Sequence, residues 1–272
     1  MKTFLLTLTA LSAAFPAVAQ DKDPETQISE RDLREFKQLV PGTYTNEEQV
    51  YFQGNLDMPE ADRVPRVELV IERVGDSFET TTIWSDGRTI KARHDYRVED
   101  GAIRASVIRF GRVDCERTFT REFESFRGEG CSGDLILSPE GIRLNNDDGA
   151  LHMLRARPFK CWVSPRKENG EYAFYNGLQL HDQGGRVWID ATDEHPRVGL
   201  KMRNVQWPTG VNRDSLVLYT YLGDDEDYAP SYTWTDPKTE RLAINLRWVQ
   251  ASCTAGEVTY TPGINLKTGS GN

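Results

Sequence analysis

The sequence predicts an all-β protein built from antiparallel hairpins with one N-terminal helix, and three observations lead there. From Tyr44 onward, short runs rich in Val, Ile, Thr, Phe and Tyr are separated by Gly-containing turn signals about every eight to twelve residues. Within runs, apolar residues recur at every second position, as in Val67, Leu69, Ile71 and in Leu242, Ile244, Leu246, Trp248, the period of a strand with one buried face. A helical period occurs only near the N-terminus, where Leu33, Phe36 and Val40 fall on one face.

Taken in order, residues 1–19 read as a cleavable signal peptide. Lys2 precedes an apolar run from Phe4 to Leu11 and the small-residue stretch Ala17-Val18-Ala19. Gln20 is then the first mature residue, and the expected location is the periplasm or the secreted space. Residues 20–30 are polar and expected to be disordered, with Ser29 as the N-cap of a helix reaching Leu39 and stopped by Pro41-Gly42. Ser85-Asp86-Gly87, Glu99-Asp100-Gly101, Gly128 to Gly130, Pro139-Glu140-Gly141 and Asp147-Asp148-Gly149 then punctuate the strands of a barrel or sandwich. The polar segment from Ser164 to Gly170 suggests a boundary near Cys161-Trp162. The first β unit is therefore assigned to 31–161, a C-terminal β extension or second β domain to 162–255, and a loose tail to 256–272.

The net charge of -9, with 28% charged and 38% hydrophobic residues, describes an acidic globular surface. Basic residues are interleaved with acidic ones, so the concentrated basic face of a nucleic-acid binder is missing. No later segment has the ~18 consecutive apolar residues of a membrane span. Four cysteines in an oxidising compartment imply two disulfides and admit three pairings. Cys115 with Cys131 and Cys161 with Cys253 is the preferred set, because one bridge stays local and the other ties the end of the chain to its middle. Metal-ligand spacings are lacking, and Gly223 to Asp227 reads as a solvated acidic hairpin tip, without the alternating spacing of a calcium loop.

The segment Leu39-Val40-Pro41-Gly42-Thr43-Tyr44-Thr45-Asn46-Glu47-Glu48-Gln49 resembles the opening of the CpcT/CpeT-type chromophore lyases, where a helix ends in a Gly-x-Phe-x-Asn-x-x-Gln segment. In the same order, Glu68 to Glu72, Arg93 to Arg97, Asp114-Cys115, Phe126-Arg127-Gly128, Cys131 and Leu135 to Gly149 are similar to later pieces of that family, over about residues 31–160. The resemblance implies a calycin-like or lipocalin-like antiparallel barrel holding an open-chain tetrapyrrole and delivering it to a cysteine of an acceptor protein. The chain departs from the pattern at Asp114, at His94-Asp95, in its signal peptide and in its C-terminal extension, so the barrel is carried over more readily than the lyase activity.

Candidate ligand contacts follow from both readings. Asn46 and Gln49 stand past the helix, where amides can orient a polar ligand group or satisfy turn backbone. Glu72 and Arg93 are read as a pair lining the cavity, the arginine clamping a carboxylate, or as cross-strand partners on the wet face. His181, Asp182 and Gln183 precede Gly184-Gly185 in a tight loop whose backbone can approach a ligand closely. His94-Asp95 and His181-Asp182 are adjacent pairs that point to opposite faces of a strand, so neither is a preformed dyad. No catalytic residue is assigned. The expected function is binding, without turnover, of an apolar ligand bearing carboxylates, tetrapyrrole-like in the resembled case. A chromophore lyase and a β-rich module contacting another envelope protein through its tryptophans stand as alternatives.

Overall fold

The computed structural model describes residues 24–131, 133–146, 149–207 and 211–256. The signal peptide and all of the tail but Gly256 lie outside the described residues. Helix α1 (Pro24–Leu39) leads into β1 (Gly42–Thr45), then α2 (Glu47–Asn55) and a single 3-10 turn at Glu60–Asp62. The strands that follow are β2 (Val67–Val74), β3 (Ser77–Trp84), β4 (Thr89–Glu99), β5 (Ala102–Arg109), β6 (Arg112–Glu122), β7 (Ser125–Gly130), β8 (Asp134–Leu137), β9 (Gly141–Asn146) and β10 (Gly149–Arg155). Each pairs antiparallel with its neighbours in sequence, and β1 sits between β2 and β10, so the ten strands form a closed barrel.

The alternation of side chains fixes what the barrel encloses. Leu69 and Ile71 of β2, His94 and Tyr96 of β4, and Arg117 and Phe119 of β6 line the interior, while the residues between them face outward. One end is closed by α1. Its Phe36 ring lies 4.9 Å from Tyr96, 4.7 Å from Phe119 and 5.1 Å from Phe126, which makes an aromatic floor. The helix is fastened at both ends. Ser29 Oγ donates to the Gly101 carbonyl (2.8 Å), Arg121 donates to Asp32 (2.8 Å), and the Tyr44 hydroxyl and Arg155 guanidinium satisfy the carbonyl of Leu39, which ends α1, and those of Val40 and Pro41 just past it. Burial pushes the Tyr44 phenol up to about 12, against the lowering field of Arg155.

A second unit begins after Ala156-Arg157. Strands β11 (Pro158–Pro165), β12 (Tyr175–His181), β17 (Arg241–Asn245) and β18 (Val249–Ala255) form one sheet in the order β12-β11-β18-β17. Strands β13 (Gln183–Ile189), β14 (Val198–Val205), β15 (Ser215–Leu222) and β16 (Ser231–Thr235) form the other, in sequence order. Phe159, Leu180, Leu200, Met202, Leu216 and Leu218, each 2% exposed or less, belong to the core shared by these strands. Disulfides join Cys115 to Cys131 and Cys161 to Cys253, the preferred pairing. The second bridge links directly paired residues of β11 and β18.

Several details correct the sequence reading. Helix α1 starts at Pro24, so part of the stretch expected to be disordered is helical and Ser29 lies inside the helix instead of capping it. Helix α2 has no signal in the sequence: its buried residues are Glu47 and Gln53, so no apolar stripe announces it. Gly128 to Gly130 belongs to β7, and the left-handed backbone positions reach past it to Cys131 and Gly133. A Cβ on Gly128 would stand 2.5 Å from Phe119 and 2.8 Å from Arg117, so the missing side chain there makes room for the barrel interior. The segment from Ser164 to Gly170 runs from the end of β11 toward β12, within the second unit.

Candidate functional site

The barrel interior contains a cavity of about 600 Å³, within the ~300–1,000 Å³ typical of small-molecule sites. Its walls are mainly apolar, with Leu69, Ile71, Val107, Leu135, Leu137 and Ile142 among them, and its polar side chains are few: Thr80, Thr82, His94, Tyr96, Arg109, Asp114 and Arg117. A second space of about 620 Å³ shares Leu69, Thr82, Ile90, Arg109 and Leu144 with the first, and continues under Val64, Trp84, Leu151 and Met153. The Cys115–Cys131 disulfide forms part of the first cavity's wall.

Arg117 is the unusual member. It is 8% exposed, and Nη1 donates to the carbonyls of Gly128 (3.2 Å) and Gly133 (3.0 Å). Among the described residues no carboxylate comes within ion-pair distance of it; Asp134 acts on it only from farther away. Burial lowers the guanidinium's affinity for its proton, but an arginine starts so high that it stays charged. The other arginines in the walls each have a carboxylate beside them: Arg109 lies 3.2 Å from Asp114, and Arg88 of the second space lies 2.6 Å from Asp86.

Tyr96 and Arg117 lie at one level, since both pair across β5 with Ala105. Burial raises the Tyr96 phenol well above its ordinary range, so it is a neutral donor. One level toward the open end, His94 opposes Val107, and its Nε2 lies 3.2 Å from the Thr80 hydroxyl. Burial, then the fields of Arg109 and Arg117, lower His94 to about 4, so the imidazole is neutral near pH 7. A fixed cation, a phenol and a neutral imidazole thus stand in an apolar chamber, an arrangement suited to an anionic group on an otherwise apolar molecule.

The residues singled out from sequence lie elsewhere. Arg93 and Glu72 are exposed on the barrel's outer face and do not line the cavity. Arg93 pairs with Asp95 at 3.0 Å, and Glu72 stands opposite Glu79 across β2 and β3. Both stand on the wet face, but they are not cross-strand partners: β3 separates β2 from β4, and Glu79 stands between them. Asn46 is fully buried and bridges backbone, Nδ2 donating to Pro65 O (2.9 Å) and Oδ1 accepting from Val67 N (2.7 Å). Gln49 clips α2 to β10 through Ala150 O (2.7 Å) and His152 N (3.1 Å).

His181, Asp182 and Gln183 are buried where the barrel meets the second unit. Asp182 Oδ1 accepts from Arg157 N at 2.7 Å, and His181 Nε2 lies 3.7 Å from Glu68 of the barrel wall. The close backbone approach expected at Gly184 does occur, but its object is a protein side chain: a Cβ there would stand 2.5 Å from Glu47. Glu47 in turn lies 2.6 Å from Lys201 and 2.7 Å from Arg66. Burial alone would raise its carboxyl, yet Lys201 and Arg66 outweigh burial and hold it below the usual range. These residues form a junction between units.

The tryptophans divide. Trp188 is buried beneath Arg197, Trp248 packs against the second core, and Trp207 and Trp234 are 38% and 65% exposed. Among the described residues no helix is long and apolar enough to cross a membrane. Comparison of the chain with family models, with curated proteins and with solved structures finds no match.

Proposed function

We propose that the barrel binds an apolar small molecule bearing a carboxylate, without turning it over, in the cell envelope. One observation carries this reading: Arg117 is a buried cation in the wall of a mainly apolar cavity, and among the described residues no carboxylate lies within ion-pair distance of it. Burying an ion unpaired costs several kcal/mol, and an anionic ligand group offsets that cost. Tyr96 and the neutral His94 supply further polar contacts beside it. The signal-peptide pattern of residues 1–19 and the two disulfides support export.

The resemblance to chromophore lyases agrees with a ligand-holding barrel. A tetrapyrrole with two propionates matches less well than a monocarboxylate, because Arg109 and Arg88 are already paired. Calorimetric titration with dodecanoate tests the reading. Wild-type protein should bind it and Arg117→Met should lose roughly a hundredfold in affinity, about 2.7 kcal/mol, in the range of a charged hydrogen-bonded pair. Equal binding of dodecanoate by the two proteins, or by neither, would overturn it.

A second reading rests on β16, the edge strand of its sheet, where Tyr232 and Trp234 are 61% and 65% exposed on one face. That face is suited to contact with another envelope protein. Cross-linking in the native envelope, followed by comparison with Trp234→Ser, tests it; an unchanged set of cross-links would remove it.

A further inference from the structure

We propose that the ligand is a long-chain aliphatic monocarboxylate bound head-inward, its carboxylate at Arg117 and its chain running into the second space beneath Trp84. The inference rests on the carboxylate reading above and adds the class and orientation of the molecule. The two spaces meet along Leu69, Thr82, Ile90, Arg109 and Leu144, so an occupant of one can pass into the other. Their chemistry differs. The first holds Arg117, with Tyr96 at its level and the aromatic floor of Phe36 and Phe119 below. The second is lined by Val64, Pro65, Val67, Trp84, Leu151 and Met153, with Arg88 already paired to Asp86.

One buried charge followed by a long apolar path specifies a molecule with one charge and a long apolar body. A compact acid would leave the second space unfilled, and a second charged group on the far end would meet there only Arg88, which already has Asp86 beside it. The opposite orientation is disfavoured for the same reason: it would set the chain end against Arg117 and leave that cation uncompensated. A flexible chain suits the path, because it can bend where the two spaces join.

The experiment measures affinities of octanoate, dodecanoate and hexadecanoate for the wild-type chain and for Leu151→Trp, which narrows the second space. Wild-type affinity should rise steeply with length, by up to about fourfold per methylene, the fold-change equivalent to ~0.8 kcal/mol for a buried CH₂. Leu151→Trp should weaken hexadecanoate at least tenfold and leave octanoate unchanged. Should that variant fail to fold, ω-bromoundecanoate added to wild type and to Trp84→Phe gives the same information: the heavy atom near the chain end should quench a component of the fluorescence that Trp84→Phe lacks. Affinity independent of length, or quenching unaltered by Trp84→Phe, overturns the head-inward chain while Arg117-dependent binding of octanoate leaves the carboxylate reading standing. Failure of all three acids to bind removes both.

Discussion

Arg117 spends two hydrogen bonds of one nitrogen on main-chain carbonyls and meets no carboxylate within ion-pair distance among the described residues. Replacing it with methionine should therefore leave the free protein as stable as wild type or more so, since a buried charge exchanged for an apolar side chain is often neutral or stabilising; thermal unfolding checks this. A loss of several kcal/mol would mean that Arg117 is a structural strut. His94 gives a pH dependence. Its folded value is depressed to about 4, from 6.5 in the unfolded chain. The unfolded state therefore binds the proton first as pH falls, and the contribution of His94 to stability is complete above pH 6.5 and is lost on the way down to pH 4. The loss amounts to about 3 kcal/mol, and urea unfolding at a series of pH values should show a shallower fall for His94→Gln. The sequence reading attached the carboxylate clamp to Arg93, one residue from the inward-facing position, because the resemblance pointed to that strand without saying which face of it is enclosed. Arg117 was legible in principle. It stands between Cys115 and Phe119 at same-face spacing, where a cation among core-forming residues needs an explanation.

Hairpins were the most readable elements, because Asp-Gly and Glu-Gly turns combined with alternation leave few other structures. The turn at Phe123-Glu124 is not legible in the sequence, because Phe123, at φ 56, occupies a left-handed position with no turn chemistry to mark it. Helix α2 escaped because it is held by tertiary contacts through Gln49 and by the partners of Glu47, which no local period records. On the proposed reading, the segment between β7 and β8 also bears on the ligand. The Cys115–Cys131 disulfide fixes that segment, and Gly133, two residues beyond, receives the Arg117 hydrogen bond. Replacing both cysteines with serine should cost about 3 kcal/mol, as for a closed loop of ~15 residues. It should also weaken dodecanoate binding at a temperature where the variant is fully folded. Lost stability with unchanged affinity would show that the bridge does not position the arginine.

The two β units meet through charged groups removed from water, with Glu47, Arg66 and Glu68 on the barrel side and Lys201, Arg203 and His181 on the other. Gly184, at φ +81, lets the second unit approach Glu47. Gly184→Val should break that approach, and calorimetry should then resolve two unfolding transitions in place of one; a single unshifted transition would show that the junction does not couple the units. The presence of two β units was legible from composition and turn spacing, but the use of Asn46, Gln49 and His181 to Gln183 in joining and bracing them was not. Conspicuous polar residues serve packing as readily as binding, and only the partners decide which. Whether the barrel carries an apolar monocarboxylate on Arg117 is decided by comparing native and denatured masses of the protein purified from its own envelope. An added mass should be released on denaturation, identify as a long-chain acid, and be missing from Arg117→Met. A bare chain that also fails to take up dodecanoate or hexadecanoate would contradict the proposal.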